Sequence, residues 1–152
     1  MRRLILLLVL VAAAGSFLAF RPIMTTNATA VEGVWKLVHV TTAEGDFDSP
    51  QPSILLFTAG HYAVVSVRGT EPRETLPEEP TDEQLLAAWR RFRAHAGTYE
   101  VRGNEIHMKV IVARNPNATA EQSERSRTFE VDGDTMVLTL SNGVVVTYTR
   151  IE

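Results

Sequence analysis

The chain has 152 residues, which is enough for one domain. Its 15 basic and 18 acidic residues give a net charge of −3, so it lacks the concentrated positive field that nucleic acids and anionic lipid surfaces require of a partner. There is no cysteine, which excludes disulfide bonds, thiolate metal sites and a cysteine nucleophile.

The first twenty residues have the pattern of a targeting segment. Arg2 and Arg3 precede an apolar run over residues 4–14, as in a secretory signal peptide. The uncharged run extends to residue 20. Its 17 residues are the short limit for a membrane-spanning helix. We expect residues 1–30 to be a signal peptide or a membrane anchor plus a tether, the tether being the polar run 21–31. The folded domain then covers residues 31–152, and the protein is exported (periplasmic or extracellular) or anchored through residues 4–20.

Eight segments with strand-like composition follow, and turn dipeptides separate several of them. Asn-Gly and Asp-Gly pairs are strong hairpin signals, because type I′ turns need positive φ at both central residues. The predicted strands cover residues 34–42, 53–58, 62–68, 98–102, 105–112, 125–131, 135–141 and 144–151. This pattern predicts an all-β fold with eight antiparallel strands.

One segment has helical periodicity instead. Thr81 and Gln84 fit a capping box, and Gly97 can end the helix. Apolar residues recur between them at Leu85, Ala88, Trp89, Phe92 and Ala96. We expect one amphipathic helix over residues 82–96, inserted between the third and fourth strands and lying on the barrel or across its mouth. Packing explains its apolar stripe, and a cofactor role is the alternative.

The length of each hairpin turn determines which side chains share a face of the sheet. If Asn142-Gly143 is a two-residue loop, Leu138 lies on one face and Tyr148 on the other. A two-residue turn at Asp132-Gly133 then places Arg127 opposite Leu138, on the leucine-rich face. A guanidinium there holds a ligand carboxylate, holds a protein acid or reaches outward at the rim. A three-residue turn with a bulge would instead place Arg127 outside.

Two histidines are candidates for chemistry. A two-residue Gly103-Asn104 turn pairs His107 with Glu100, which resembles an acid–base pair but also fits a solvent-exposed face of charged residues. His39 is predicted on the strand face of Trp35, where it is either a lumen residue or a core histidine with its hydrogen bonds satisfied. No two histidines have metal-ligand spacing, so we expect no metal and no cofactor.

Several motifs in the chain together resemble the lipocalin-like domain family. They are Gly33-x-Trp35-x-Leu37-Val38, Thr58-Ala-Gly-His-Tyr62, Ala96-Gly-Thr-Tyr-Glu-Val101, His107, Asn115-Pro-Asn117 and Arg127-x-Phe129. The resemblance covers roughly residues 31–150. It implies an antiparallel calycin-type barrel with an internal pocket, in which Trp35 and Arg150 stack as a cation–π pair that closes one end. The helix before the fourth strand and the N-terminal segment depart from the family pattern.

The expected function follows from this resemblance. We expect an exported lipocalin-like protein that binds a small, hydrophobic or amphipathic molecule in the barrel lumen. The candidate ligand-binding residues are Arg127, Tyr62, His39 and Phe129. One alternative is an isomerase or cyclase that uses the same cavity, and the other is a packed structural or interaction module. We expect no nucleic-acid partner. We expect the protein to contact a membrane only through the N-terminal segment, if that segment is not cleaved.

Overall fold

The structure, a computed structural model, describes residues 27–48 and 50–152. The predicted signal peptide or anchor over residues 4–20 lies outside the described residues, as does most of the predicted tether. Within the described part of the chain, no helix is long and apolar enough to span a membrane.

Nine antiparallel strands form the sheet in the described ranges. They are β1 (Gly33–Thr42), β2 (Gly45–Phe47), β3 (Ser53–Thr58), β4 (His61–Val67), β5 (Phe92–Arg102), β6 (Glu105–Ala113), β7 (Glu124–Asp132), β8 (Thr135–Leu140) and β9 (Val145–Arg150). Consecutive strands pair from β3 to β9, while β1 pairs with both β3 and β9 and so closes the sheet. The expected eight-stranded antiparallel barrel is confirmed, and β2 is a ninth strand outside it, paired with the end of β1.

The helices are short: α1 (Asn27–Val31), α2 (Asp82–Arg91) and α3 (Pro116–Ala120). The capping box of Thr81 and Gln84 is present at the start of α2, which lies in the connection between β4 and β5. The prediction that this helix continues to residue 96 is wrong. Phe92 is extended, with φ −79° and ψ 139°, and the chain from Phe92 onward pairs with β4. Sheet pairing therefore replaces the helical continuation that the apolar spacing predicted.

The apolar face of α2 is also less buried than the helical spacing of its residues predicts. None of its residues is buried, and Trp89 is 54% exposed. The guanidinium carbon of Arg114 lies 5.5 Å from the centroid of the Trp89 ring. The helix therefore contributes little to the core.

The core fills the end of the barrel where β1 begins. Its fully buried members include Trp35, Leu55, Phe57, Ile106, Met136 and Leu138. The turns β3–β4, β5–β6 and β7–β8 lie at this end, which we call the base. The longer connections β1–β3, β4–β5 and β6–β7 lie at the opposite end, which we call the mouth.

Arg150 locks the base. Its guanidinium carbon lies 4.1 Å from the centroid of the Trp35 ring, and its Nη2 donates to the carbonyl of Ala30 at 2.9 Å. Nη1 donates to the carbonyl of Glu32. Gly33 makes room for this arrangement: it has φ +131°, and a Cβ there would lie 2.6 Å from Arg150 Nη1.

The chain before β1 is part of the base. Val31 is fully buried, and its carbonyl accepts a 2.8 Å hydrogen bond from the Trp35 indole. The tether predicted over residues 21–31 is therefore wrong for Asn27–Val31, which is the helix α1. Its last turn supplies carbonyls that the Trp35 and Arg150 side chains need.

We predict that Trp35→Ala lowers the free energy of unfolding by about 3–5 kcal/mol, because it removes a fully buried ring and leaves a cavity under the Arg150 guanidinium. Urea unfolding of the full chain measures this. Trp89→Ala is the matched control: the chain has two tryptophans and Trp89 is exposed, so we expect a change below about 1 kcal/mol. Equal losses in the two variants would contradict the role of Trp35.

Candidate functional site

The mouth half of the barrel contains a cavity of about 320 Å³. Apolar side chains form most of its wall, and the polar residues come from several strands and connections. The lining comprises Leu37, Val40, Thr42, Phe47, Pro50, Gln51, Ser53, Val64, Ser66, Val67, Arg68, Gly69, Thr70, Arg93, Arg127, Leu140, Val144, Val146 and Tyr148. There is no Asp or Glu among these residues, so the cavity has a positive side and no compensating carboxylate in its wall.

Arg127 points into the barrel, as its strand position predicted. It is 7% exposed and lines the cavity. Its partner is Leu140, not Leu138, because Asp132 pairs with Thr135 and the turn lies one residue later than expected. This shift moves every pair by two residues, and side chains alternate with a period of two, so the inward orientation of Arg127 is preserved.

Arg93 lines the same cavity from β5. Within residues 27–48 and 50–152, neither Arg93 nor Arg127 forms an ion pair with a carboxylate. Burial, followed by the charges of Arg127, Arg125 and Arg68, lowers the pKa of Arg93 to about 10. Burial also lowers the pKa of Arg127. With a pKa of about 10, Arg93 remains charged at neutral pH. Guanidinium groups stay protonated in proteins, so Arg127 is also a charge without a compensating carboxylate among the described residues.

Tyr148 and Ser53 supply neutral polar groups beside these arginines. The two side chains form a hydrogen bond, and burial raises the pKa of the Tyr148 phenol despite the opposing charges of Arg127 and Arg93. The predicted outward orientation of Tyr148 is wrong. Leu138 pairs with Val146, so the β8–β9 loop has three residues and Gly143 has φ +81°. The register of the β8–β9 hairpin differs by one residue from that of a two-residue loop, and this turns Tyr148 inward.

A buried hydrogen-bond chain links Tyr62, His95 and Arg93. His95 Nδ1 lies 3.1 Å from the Tyr62 hydroxyl, and His95 Nε2 lies 3.2 Å from Arg93 Nη2. Because a guanidinium only donates, Nε2 must accept and Nδ1 must carry the proton. Burial and then the charges of Arg93, Arg125 and Arg127 lower the pKa of His95 to about 3. This histidine is neutral at physiological pH and positions its two neighbours.

The comparisons with known proteins agree with this architecture. The sequence profile described as a lipocalin-like domain matches residues 32–150. The chain belongs to the lipocalin-like domain family. Among solved structures, it is similar to a lipocalin-like protein from Bacteroides uniformis, with a TM-score of 0.51 and 12% identity over 80% of this chain and 99% of that chain. It is also similar to an uncharacterized protein from Bacteroides eggerthii, with a TM-score of 0.51 and 12% identity over 79% of this chain and 98% of that chain. The comparison with curated proteins gives no significant match.

His39 does not reach the cavity of this lipocalin-like domain. Leu37 pairs with Tyr148 but His39 pairs with Thr147, so β1 has a bulge at Val38. The extra residue reverses the alternation, and the prediction that His39 shares the face of Trp35 is wrong. His39 Nδ1 instead lies 2.8 Å from a carboxylate oxygen of Asp48 on the outside of the barrel.

The other predicted residues are also placed away from the cavity lining. Phe129 is buried in the base core, and Tyr62 is buried against His95. His107 pairs in register with Glu100, as predicted, but its ring contacts Glu105 at 3.1 Å on the outer face. No group of His, Asp or Glu suited to a metal ion occurs in the described residues. Of the four predicted ligand-binding residues, only Arg127 lines the cavity.

Sequence reasoning missed Arg93 and His95 because it assigned both to the helix. A signal for them existed: from Arg93 onward, His95, Gly97 and Tyr99 follow the period of two that marks one face of a strand. The helical spacing over residues 85–96 competed with this alternation.

We predict that the protein loses stability as the pH falls from about 6.5 towards 3, and that His95 contributes to this loss. The histidine binds a proton near its ordinary pKa of about 6.5 in the unfolded chain but only near about 3 in the folded one. Acid therefore favours unfolding, by about 2–3 kcal/mol between pH 7 and 4.5. His95→Gln should flatten the stability profile by that amount in urea titrations, whereas His61→Gln, at an exposed position, should not. Parallel profiles for His95→Gln and wild type would contradict this assignment.

Proposed function

We propose that the mouth cavity binds a small, largely apolar molecule whose acidic end lies against Arg127 and Arg93. Arg127 carries this proposal: it is 7% exposed, lines an apolar cavity and has no ion-pair partner in the described ranges. A buried charge is costly unless an anion pairs with it, so an acidic ligand provides the interaction that the protein itself does not supply.

The volume and the wall of the cavity support a ligand of modest size. About 320 Å³ is near the lower end of the ~300–1,000 Å³ range of small-molecule sites. Leu37, Val40 and Val146 offer apolar contact, while Tyr148 and Ser53 add neutral hydrogen-bonding groups beside the arginines. A medium-chain carboxylate such as octanoate combines a short apolar tail with a planar anion that a guanidinium binds through two parallel hydrogen bonds.

The two alternative functions receive less support. A fully packed module does not explain a cavity with a buried arginine in its wall, although the base half is packed in that way. An isomerase or cyclase needs a proton-transfer group at the cavity. Tyr148 lines the cavity, but burial raises the pKa of its phenol, which disfavours its use as a base. The described lining includes neither Tyr62 nor His95, and the Nε2 lone pair of His95 faces Arg93.

We expect Arg127→Leu to weaken octanoate binding about 10–100-fold, because the charge-assisted hydrogen bonds to the carboxylate are lost. The fold should persist, since the substitution removes a buried charge and keeps an apolar side chain. Isothermal titration of the full chain measures the affinity, and thermal unfolding checks the fold.

Two controls separate the head group from the tail. Octanol has the same tail without the carboxylate, so its weaker binding should change little in Arg127→Leu. Arg90→Leu removes one positive charge from the exposed face of α2 and should leave octanoate binding unchanged. Octanoate that binds equally well to wild type and Arg127→Leu would refute the anchoring role. Native mass spectrometry of protein from its own host then identifies the natural ligand.

We also propose export, or anchoring through residues 4–20, as the setting of this function. The support is sequence-based: two arginines precede the apolar run over residues 4–14. The intact mass of the protein from its host tests it. A mass that lacks the N-terminal segment supports export with cleavage, and a full-length protein in the membrane fraction supports an anchor. A full-length protein in the cytosol would contradict both.

A further inference from the structure

A second cavity, of about 190 Å³, lies at the mouth on the β6 and α3 side. We call it the arginine chamber. It is bordered by Arg68, Arg93, Ala94, His95, Val110, Ala113, Arg114, Asn115, Ala118 and Arg125. Four strand ends and α3 contribute these residues, and the small side chains of the three alanines leave the space open. At ~30 Å³ per molecule, the volume corresponds to about six waters.

The charge of the chamber is unbalanced. Four arginines border it, and its described lining includes no Asp or Glu. Arg68, Arg93 and Arg125 form no ion pair with a carboxylate in the described part of the chain. Arg114 is held elsewhere: its Nη1 donates to the carbonyl of Trp89 at 2.6 Å. Three guanidinium groups therefore remain without anionic partners around one small space.

Backbone hydrogen bonds fix the walls of the chamber. The Ala113 amide donates to the Thr119 hydroxyl at 2.9 Å, and the Val110 amide donates to the carbonyl of Ser123 at 3.1 Å. The Arg114 amide donates to the carbonyl of Ala94 at 2.8 Å. These bonds tie α3 and the end of β6 to β5. The backbone around the chamber is therefore held in place, while the side chains of Arg68 and Arg125 are exposed.

We infer that the arginine chamber binds a tetrahedral oxyanion of the phosphate class, held by Arg68, Arg93 and Arg125. These three side chains come from the ends of β4, β5 and β7, so they approach from different directions. A carboxylate has two oxygens in one plane, whereas a phosphate presents oxygens in several directions to guanidinium forks. Burial, followed by the charges of Arg127, Arg125 and Arg68, lowers the pKa of Arg93, and an anion in the chamber would offset the repulsive part of this effect.

The chamber is separate from the apolar cavity, although the two share Arg68 and Arg93. Of these two cavities, Arg125 borders only the chamber, and Arg127 borders only the apolar cavity. This division makes the two binding proposals independently testable with two single substitutions on the same strand, two residues apart.

The test measures inorganic phosphate binding to the full chain by titration calorimetry at pH 7.5 and constant ionic strength. We expect Arg125→Leu to weaken phosphate binding about 10–100-fold and to change the octanoate affinity by no more than about twofold. Arg127→Leu should show the reverse pattern. Arg125→Lys keeps the charge but loses the fork, so it should weaken phosphate less than Arg125→Leu. Arg90→Leu is the control for net charge and should change neither affinity. Thermal unfolding confirms that each variant is folded.

Octyl phosphate distinguishes the two sources of the anion. Inorganic phosphate that binds with Arg125 dependence supports the chamber as a site for a free oxyanion. Octyl phosphate that binds with Arg125 dependence when inorganic phosphate does not supports the chamber as the site of an amphiphile's head group. The inference is overturned if Arg125→Leu leaves both affinities unchanged, or if Arg90→Leu weakens them as much. If octanoate affinity does not depend on Arg127, the proposed function is overturned, and the inference about the chamber is not affected.

Discussion

The closure of the barrel depends on Arg150. This side chain stacks on the fully buried Trp35 ring and donates to two carbonyls of the chain that enters β1. One guanidinium therefore connects the last strand, the first strand and the end of α1. Those carbonyls lie where the sheet can offer no partner, and unsatisfied polar groups at a closed barrel end are costly. The β1–β9 seam that converts a curved sheet into a container is fixed at this point.

The interior changes character along the barrel axis. The base is filled by aromatic and aliphatic side chains, and its stability comes from packing. The mouth contains buried and half-buried arginines with no ion-pair carboxylate in the described ranges, an arrangement that costs stability. A well-packed base tolerates this electrostatic cost because the two regions are separate. Such unpaired polar groups are expected at binding sites, where local stability is given up for recognition.

The fold could be predicted from the sequence because turn dipeptides and strand alternation are local signals. The Gly103-Asn104 hairpin has the register that its turn predicts, and the inward orientation of Arg127 survived a shift of two residues. The errors in side-chain orientation concern single-residue shifts, which reverse a whole strand face. Tyr148 and His39 were placed wrongly because a three-residue loop and a bulge each add one residue to the count. Neither has a sequence signal strong enough to separate it from the regular alternative.

The arrangement of turns has a consequence for how such domains diversify. The β3–β4, β5–β6 and β7–β8 turns and the end of β9 gather at the base, whereas the connections that contain β2, α2 and α3 all rim the mouth. Surface connections accept insertions at a small cost in closure entropy, so selection can remodel the entrance without disturbing the closed end. The same scaffold can then change its entrance through these connections while the packed base stays constant.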